Sequence, residues 1–322
     1  MRYLKFKYIL KKINSCPSSS EEERLAVSKM AGTSRSLIDK LSAFHRSKVR
    51  NVDGDPVSGA ILNLSAIKFS RNDLRRKIVL PKFISEDLAE NVGVLIGDGS
   101  IYISNHDYNI VYSGNLVEDR YYFENYLVPL NKRLFNILFK NIIYHNEFRL
   151  YIRSKALLTF YSKAIGLPLG LKSNITIPRK ILRSKSLITH CIRGIMDTDF
   201  SLSFKSRKKY HSYPVISAYF KSKALVKQLE NLLKKLNFKV VLNYDYERID
   251  KRIKNGKFIS QAIYLNGKQN LELWWNLIES RNPRLVTRYL IWKKFGFCPP
   301  YTNMQQRINI LKGKINPKEF YK

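Results

Sequence analysis

The chain has 322 residues, 44% of them hydrophobic, which is length enough for two or three domains and apolar content enough to exclude a disordered chain. Its 58 Lys and Arg against 25 Asp and Glu give a net charge of +33, spread along the whole chain, and point to a polyanion partner, nucleic acid first. Cys16, Cys191 and Cys298 lie far apart with no C-x-x-C, the five His form no H-E-x-x-H, and no Walker-type glycine loop is present, so disulfide-framework, zinc and nucleotide-loop classes are excluded.

The opening MRYLKFKYILKK is basic, but its apolar run is short and broken by Lys, which is too little for a signal peptide or a membrane span. A soluble, reducing, cytoplasmic and nucleoid-associated setting is expected. After a Ser-rich break at Ser18 to Ser20, EEERLAVSKMAGTSRSLIDKLSAF reads as helix, turn, helix. Ser20 caps the first helix, Thr33 or Ser34 caps the second, and Leu37 and Leu41 form an inner face. Residues 1–80 are therefore read as a separate, mostly helical region resembling a helix-turn-helix, although two short amphipathic helices equally suit any small domain.

From about residue 84 a unit occurs twice: an apolar helix ending in an acid, followed by strands. The copies are LAENVGVLIGDGSIYI and ITHCIRGIMDTDFSLSF, with Asp98 and Asp199 101 positions apart. After the first, SIYIS and NIVYS alternate as strands, EDRYYFENYLVPLNKRLF is helical, NEFRLYIRS alternates again and SKALLTFYSKAIGL is helical. After the second, SLSFK and YPVISAYFK, then SKALVKQLENLLKKLNF, then KVVLNYDYE and FISQAIYLN, then NLELWWNLIES repeat that order. The fold class is α+β: two pseudo-symmetric αββαββα halves over 81–178 and 179–300, with 301–322 as a basic tail.

Alternation in FRLYIR puts Phe148, Leu150 and Ile152 on one face and Arg149, Tyr151 and Arg153 on the other. The corresponding outer set in the second half is Ser201, Ser203 and Lys205, with Arg207 following. Sheets with one cationic, hydrogen-bonding face suit a DNA major groove, though solvated polar faces are the default for antiparallel sheets. Gly93 and Gly194, each near the middle of an apolar helix, allow the two helices to pack with backbones nearly touching. Asp98 and Asp199 then meet, and a carboxylate pair of this kind selects Mg²⁺ for phosphodiester chemistry. Taken alone, GDGS is ordinary Asp-Gly turn chemistry; the second helix-acid-strand unit is what makes it a candidate site. Trp274, Trp275 and Trp292 are read as core or buttress residues.

VGVLIGDG and RGIMDTDF resemble the two signature motifs of single-chain LAGLIDADG (DOD-type) homing endonucleases of the archaeal or intein-associated kind, and the resemblance runs from about residue 84 to 300. It implies that the motif helices form the interface between halves and that the sheets saddle long, rare double-stranded DNA targets. Asp98 and Asp199 would bind Mg²⁺, with Mn²⁺ substituting, and the carbonyls of Gly97 and Thr198 would complete the coordination. Asp197 would be a helix-end residue. Lys221 matches the polar position at the end of the second strand, and Asn115 is its counterpart in the first half, lacking the charge. Phe200 departs from the motif's Gly and is expected to set a ring beside the second acid. The single chain implies a monomer. The competing reading is a DNA-binding regulator or an intron RNA maturase on the same scaffold, favoured by Phe200 and Asn115.

Overall fold

The chain divides into two compact units, Met1–Ser58 and Gly59–Lys322, and the computed structural model describes residues 60–249 and 256–321, all in the second. The helix-turn-helix expected within 21–44 lies outside the described residues. A short helix α1 (Arg71–Arg75) belongs to the second unit because Asp73, wholly buried, closes its own capping box at Ser70 and also accepts from Ser154 Oγ at 2.7 Å and Ala156 N at 3.1 Å.

The first half runs α2 (Glu86–Ile96), β1 (Gly99–Ser104), β2 (Asp107–Asn115) and α3, a helix built from Arg120–Tyr122, a π-helical turn Phe123–Leu127 and Val128–Phe135. It continues with β3 (Lys140–Tyr144), β4 (Glu147–Arg153) and α4 (Lys155–Thr159, with a π-helical turn Phe160–Ile165). The second half runs α5 (Lys185–Asp199), β5 (Ser201–Arg207), β6 (Tyr210–Phe220), α6 (Lys223–Lys235), β7 (Val240–Ile249), β8 (Lys257–Asn266), α7 (Gly267–Leu277) and α8 (Pro283–Phe295). Each half folds as αββαββα around a four-stranded antiparallel sheet, ordered β1-β2-β4-β3 and β5-β6-β8-β7.

Serine sets most of the helix starts. Ser85, Ser154, Ser184 and Ser222 each accept from the backbone N–H three residues on, at the entries of α2, α4, α5 and α6. The alternation read in FRLYIR is realised: Phe148, Leu150 and Ile152 are buried against Phe123 and the rest of the first core, while Arg149, Tyr151 and Arg153 share the other face. On that face Tyr151 pairs with Val111 and Lys140 across the sheet, and Val111 with Ser100. Strand β3 carries no such alternation, because both its faces are exposed at the sheet edge.

Trp274 is fully buried and Trp292 nearly so, and Trp275 stacks on Tyr289 at 3.8 Å, so all three buttress the second half. Residues 301–321 do not trail off as a tail. Helix α9 (Met304–Leu311) packs on α8, burying Arg307, whose guanidinium meets Glu118 of the first half, Thr287 and the Thr302 carbonyl. Met304 N also donates to Glu118 Oε1 at 3.0 Å. The charge that made this segment read as a basic tail is in part a buried cross-link between halves. No helix among the described residues is long and apolar enough to cross a membrane.

Candidate functional site

The site begins where α2 and α5 cross. A Cβ built on Gly93 would lie 2.1 Å from the Cys191 carbonyl oxygen, and one on Gly194 would lie 2.2 Å from that of Glu90. The helices touch backbone to backbone, as only glycine permits. The contact continues to the C-terminal ends, where a Cβ on Gly97 would meet Thr198 Oγ1 at 1.9 Å and Asp199 Oδ2 at 3.3 Å. The Asp199 carboxylate thus lies against the end of the opposite helix, and Asp98 and Asp199 share one partly exposed junction.

Both carboxyls are pushed well above the usual carboxylate range. For Asp98 burial acts first, then the charges of Asp199 and Asp119, against Arg284 and Lys172. For Asp199 burial again leads, opposed by Lys172 and then Arg284. Asp197, fully buried, is raised to about 7 by burial although Ser280 Oγ and Arg281 N donate to it. It closes the packing of the loop before α8 and is turned away from the pair's pocket, as a helix-end residue.

These shifts fix a sign. The fold favours the protonated carboxyls, so their contribution to stability is fully present below the ordinary carboxylate range of about 4 and is lost as pH rises through about 6 for Asp199 and about 7 for Asp197. In EDTA the thermal midpoint is expected to fall between pH 5 and 8. A midpoint that is flat or rising over that window would mean that these carboxyls are already ionised in the fold.

Two cations complete the junction, and the sequence reading passed over both. Lys172 Nζ, in the linker after α4, donates to the carbonyls of Ile96, at 2.9 Å, and Gly97. Burial lowers its pKa, while Asp199 and Asp98 raise it. Arg284, in the first turn of α8, donates from Nη2 to the carbonyls of Thr198 at 3.0 Å and Asp197 at 3.3 Å. Ile96 and Gly97 stand at the end of α2 where Asp197 and Thr198 stand at the end of α5, so Lys172 and Arg284 are pseudo-symmetric caps on the negative ends of the two helices. Both lie in segments, GLPLGLKSN and NPRLVT, outside the recurring helix-acid-strand units. Only their return to the helix ends in three dimensions marks them.

A pocket of about 410 Å³ opens beside Asp199, lined by Gly97, Lys172, Asp199 and Lys221 among others. Lys221 is exposed at the end of β6 and shares this pocket. Its counterpart Asn115 is not brought into it. The Asn115 side-chain oxygen accepts from Val117 N at 2.9 Å and Glu118 N at 3.0 Å, closing the turn after β2. Phe200 does not stand beside the acid as expected. Its backbone is extended and its ring is buried in the core, edge to Phe220 at 5.9 Å. Phe200→Ala is expected to cost about 3–5 kcal/mol in urea unfolding. A cost below about 1 kcal/mol would place the ring outside the core.

On the outer sheet faces several cationic heads carry partners: Arg149 on Glu147 at 2.5 Å, Arg153 on Asp107 at 3.2 Å and Arg207 over the Tyr213 ring at 5.0 Å. Ser201 and Ser203 hydroxyls rest on the carbonyls of Ser217 and Val215, and Lys205 is exposed.

No family model and no curated protein matches the chain. Among solved structures it is similar to the homing endonuclease I-DmoI in complex with DNA and Ca (TM-score 0.42, 17% identity, 61% of this chain and 90% of that one). It is also similar to the meganuclease I-SmaMI bound to uncleavable DNA (TM-score 0.41, 12% identity, 72% and 99%). A third is the homing endonuclease I-WcaI bound to its recognition sequence (TM-score 0.40, 16% identity, 66% and 87%).

Proposed function

We propose that the chain is a site-specific DNA endonuclease of the LAGLIDADG homing type that cuts both strands of a long, rare target. The observation that carries this reading is the carboxylate pair, Asp98 and Asp199, set at the touching ends of two pseudo-symmetric helices, each end capped by a cation. Sheets with polar, partly cationic outer faces extend from both sides. Arg149, Tyr151, Arg153, Ser201, Ser203, Lys205 and Arg207 would contact the duplex, the cations mainly through phosphates.

The donor set fits a hard divalent cation. Asp98 and Asp199 are carboxylates whose ionisation is opposed by burial, and for Asp98 also by the charge of Asp199. They would hold Mg²⁺ or Mn²⁺, with the Gly97 and Thr198 carbonyls as further oxygen donors and water or phosphate filling the remaining positions. Among the described residues no cluster of three or more His, Cys, Asp or Glu forms. When bound, the cation would stabilise charge on the attacking and leaving oxygens of an in-line displacement. The chain's own cations act in the same direction. Lys172 and Arg284 put positive charge at the junction where a phosphodiester would gain negative charge, and Lys221 reaches the same pocket as a single-point donor to phosphate or water.

Because one chain supplies both halves, it would act as a monomer within the cell. The deciding experiment is cleavage of a plasmid library carrying randomised or host-locus inserts, with Mg²⁺ for cutting and Ca²⁺ for binding. A discrete linear product supports the reading. Site-specific binding with no cut under Mg²⁺ or Mn²⁺ moves it to the regulator, or to a maturase if the chain accelerates splicing of its host intron RNA. What favours that second reading is that the Gly97 and Thr198 carbonyls already accept from Lys172 and Arg284.

The net charge supplies a further expected outcome. If six or more phosphates are neutralised, affinity should fall about 10³-fold between 50 and 200 mM salt. Affinity constant over that range would mean that the +33 charge serves another partner.

A further inference from the structure

Asp119 stands immediately after the β2 turn, 7% exposed, at the junction of the two halves. Its Oδ1 accepts from Arg284 Nε at 3.2 Å and from Asn282 Nδ2 at 2.9 Å, and its Oδ2 accepts from Asn115 N at 3.0 Å. Asn282 Nδ2 also reaches the Asp197 carbonyl at 2.9 Å. The Arg284 fork is thereby held at both ends, by Asp119 on one side and by the carbonyls of Asp197, Thr198 and Phe200 on the other.

Among its described residues the second half shows no such clamp. Ser222 occupies the equivalent helix-entry position before α6, and its hydroxyl donates to the Ile175 carbonyl at 2.7 Å. Lys172, the partner of Arg284 by pseudo-symmetry, is a single ammonium resting on the carbonyls of Ile96 and Gly97. One junction cation is a planar fork fixed by a carboxylate, and the other is a point charge on a flexible stem.

We propose that Asp119 is a positioning residue that fixes Arg284 over the end of α5, so that cleavage of one DNA strand depends on the Asp119–Arg284 clamp while cleavage of the other depends on Lys172. The assignment rests on the endonuclease reading. Nothing in the residue pattern marked Asp119, which in sequence is an ordinary helix-entry acid. It acts on the opposite half, through a partner 165 positions away.

The test is strand-resolved cleavage of a target labelled differently on its two strands, with Asp119→Asn, Asp119→Glu and Arg284→Lys beside the unaltered protein. Asp119→Asn should slow one strand at least tenfold in kcat, with KM within threefold, leave the other within threefold, and so accumulate nicked DNA. Arg284→Lys should slow the same strand, and Asp119→Glu should recover part of the loss. A readout independent of cutting is the Arg284 Nε–H resonance, expected to be protected from exchange in the unaltered protein and exposed in Asp119→Asn. Equal slowing of both strands, or unchanged rates on both, would overturn the assignment while leaving the endonuclease intact. If Asp119→Asn fails to fold, Arg284→Lys decides by the same strand criterion. Absence of any cut by the unaltered protein overturns the endonuclease reading and this assignment together.

Discussion

Asp98→Asn and Asp199→Asn are each expected to lower double-strand cleavage by about 10³-fold or more, equivalent to roughly 4 kcal/mol of lost transition-state stabilisation. Each removes one of the two carboxylates that would hold the divalent cation, and an amide retains the shape but not the charge. The same substitutions should raise the thermal midpoint in EDTA, because each deletes half of a like-charged pair whose ionised form the fold opposes. DNA binding at low salt should persist, since the duplex would be held by the sheet faces. This opposition of signs, less activity with more stability, is what separates a functional acid from a structural one. An Asn variant that cuts at an unaltered rate, or that loses stability, would remove that acid from the proposed site.

The second large effect lies deeper in the same helix pair. Glu90 on α2 and Arg193 on α5 form an ion pair at 3.1 Å with side chains only 2% and 7% exposed. Tyr126 Oη donates to Glu90 at 2.6 Å, and Arg193 Nε donates to the Ile278 carbonyl at 2.6 Å. Glu90→Gln leaves a buried guanidinium without its counter-charge, and the expected loss is about 3–5 kcal/mol in urea unfolding. Replacing both partners by Leu should recover much of it, because no unpaired charge then remains buried. A loss below about 1 kcal/mol for Glu90→Gln would mean that water or another group compensates the charge at that crossing.

The two predictions also show how unevenly the site was written into the chain. Asp98, Asp199, Gly93 and Gly194 were visible because they recur 101 positions apart in a fixed local context, and recurrence is a one-dimensional signal. The Glu90–Arg193 pair carried no such mark, since each residue looks like an ordinary charge on a helix until the helices cross. Phe200 misled because a bulky residue in place of Gly says nothing of direction. Its extended backbone turns the ring into the second core. Asn115 was placed correctly at the end of a strand, yet its side-chain oxygen is spent on the turn that follows.

By itself the sequence determined the architecture: two αββαββα halves, the packing faces of β4 and β5, the glycines that let the helices touch, and the two acids at their ends. Those follow from local periodicity, capping serines and repeat spacing, all of which act over a few residues. Only the tertiary structure decided that Lys172 and Arg284 cap the helix ends, that Asp119 reaches from one half to clamp Arg284 in the other, and that the final helix buries Arg307 against Glu118. The physical reason is distance along the chain. A buried charge must find a partner wherever the fold brings one, and those partners come from loops and helix starts 75 to 189 positions away, where local pattern has no hold.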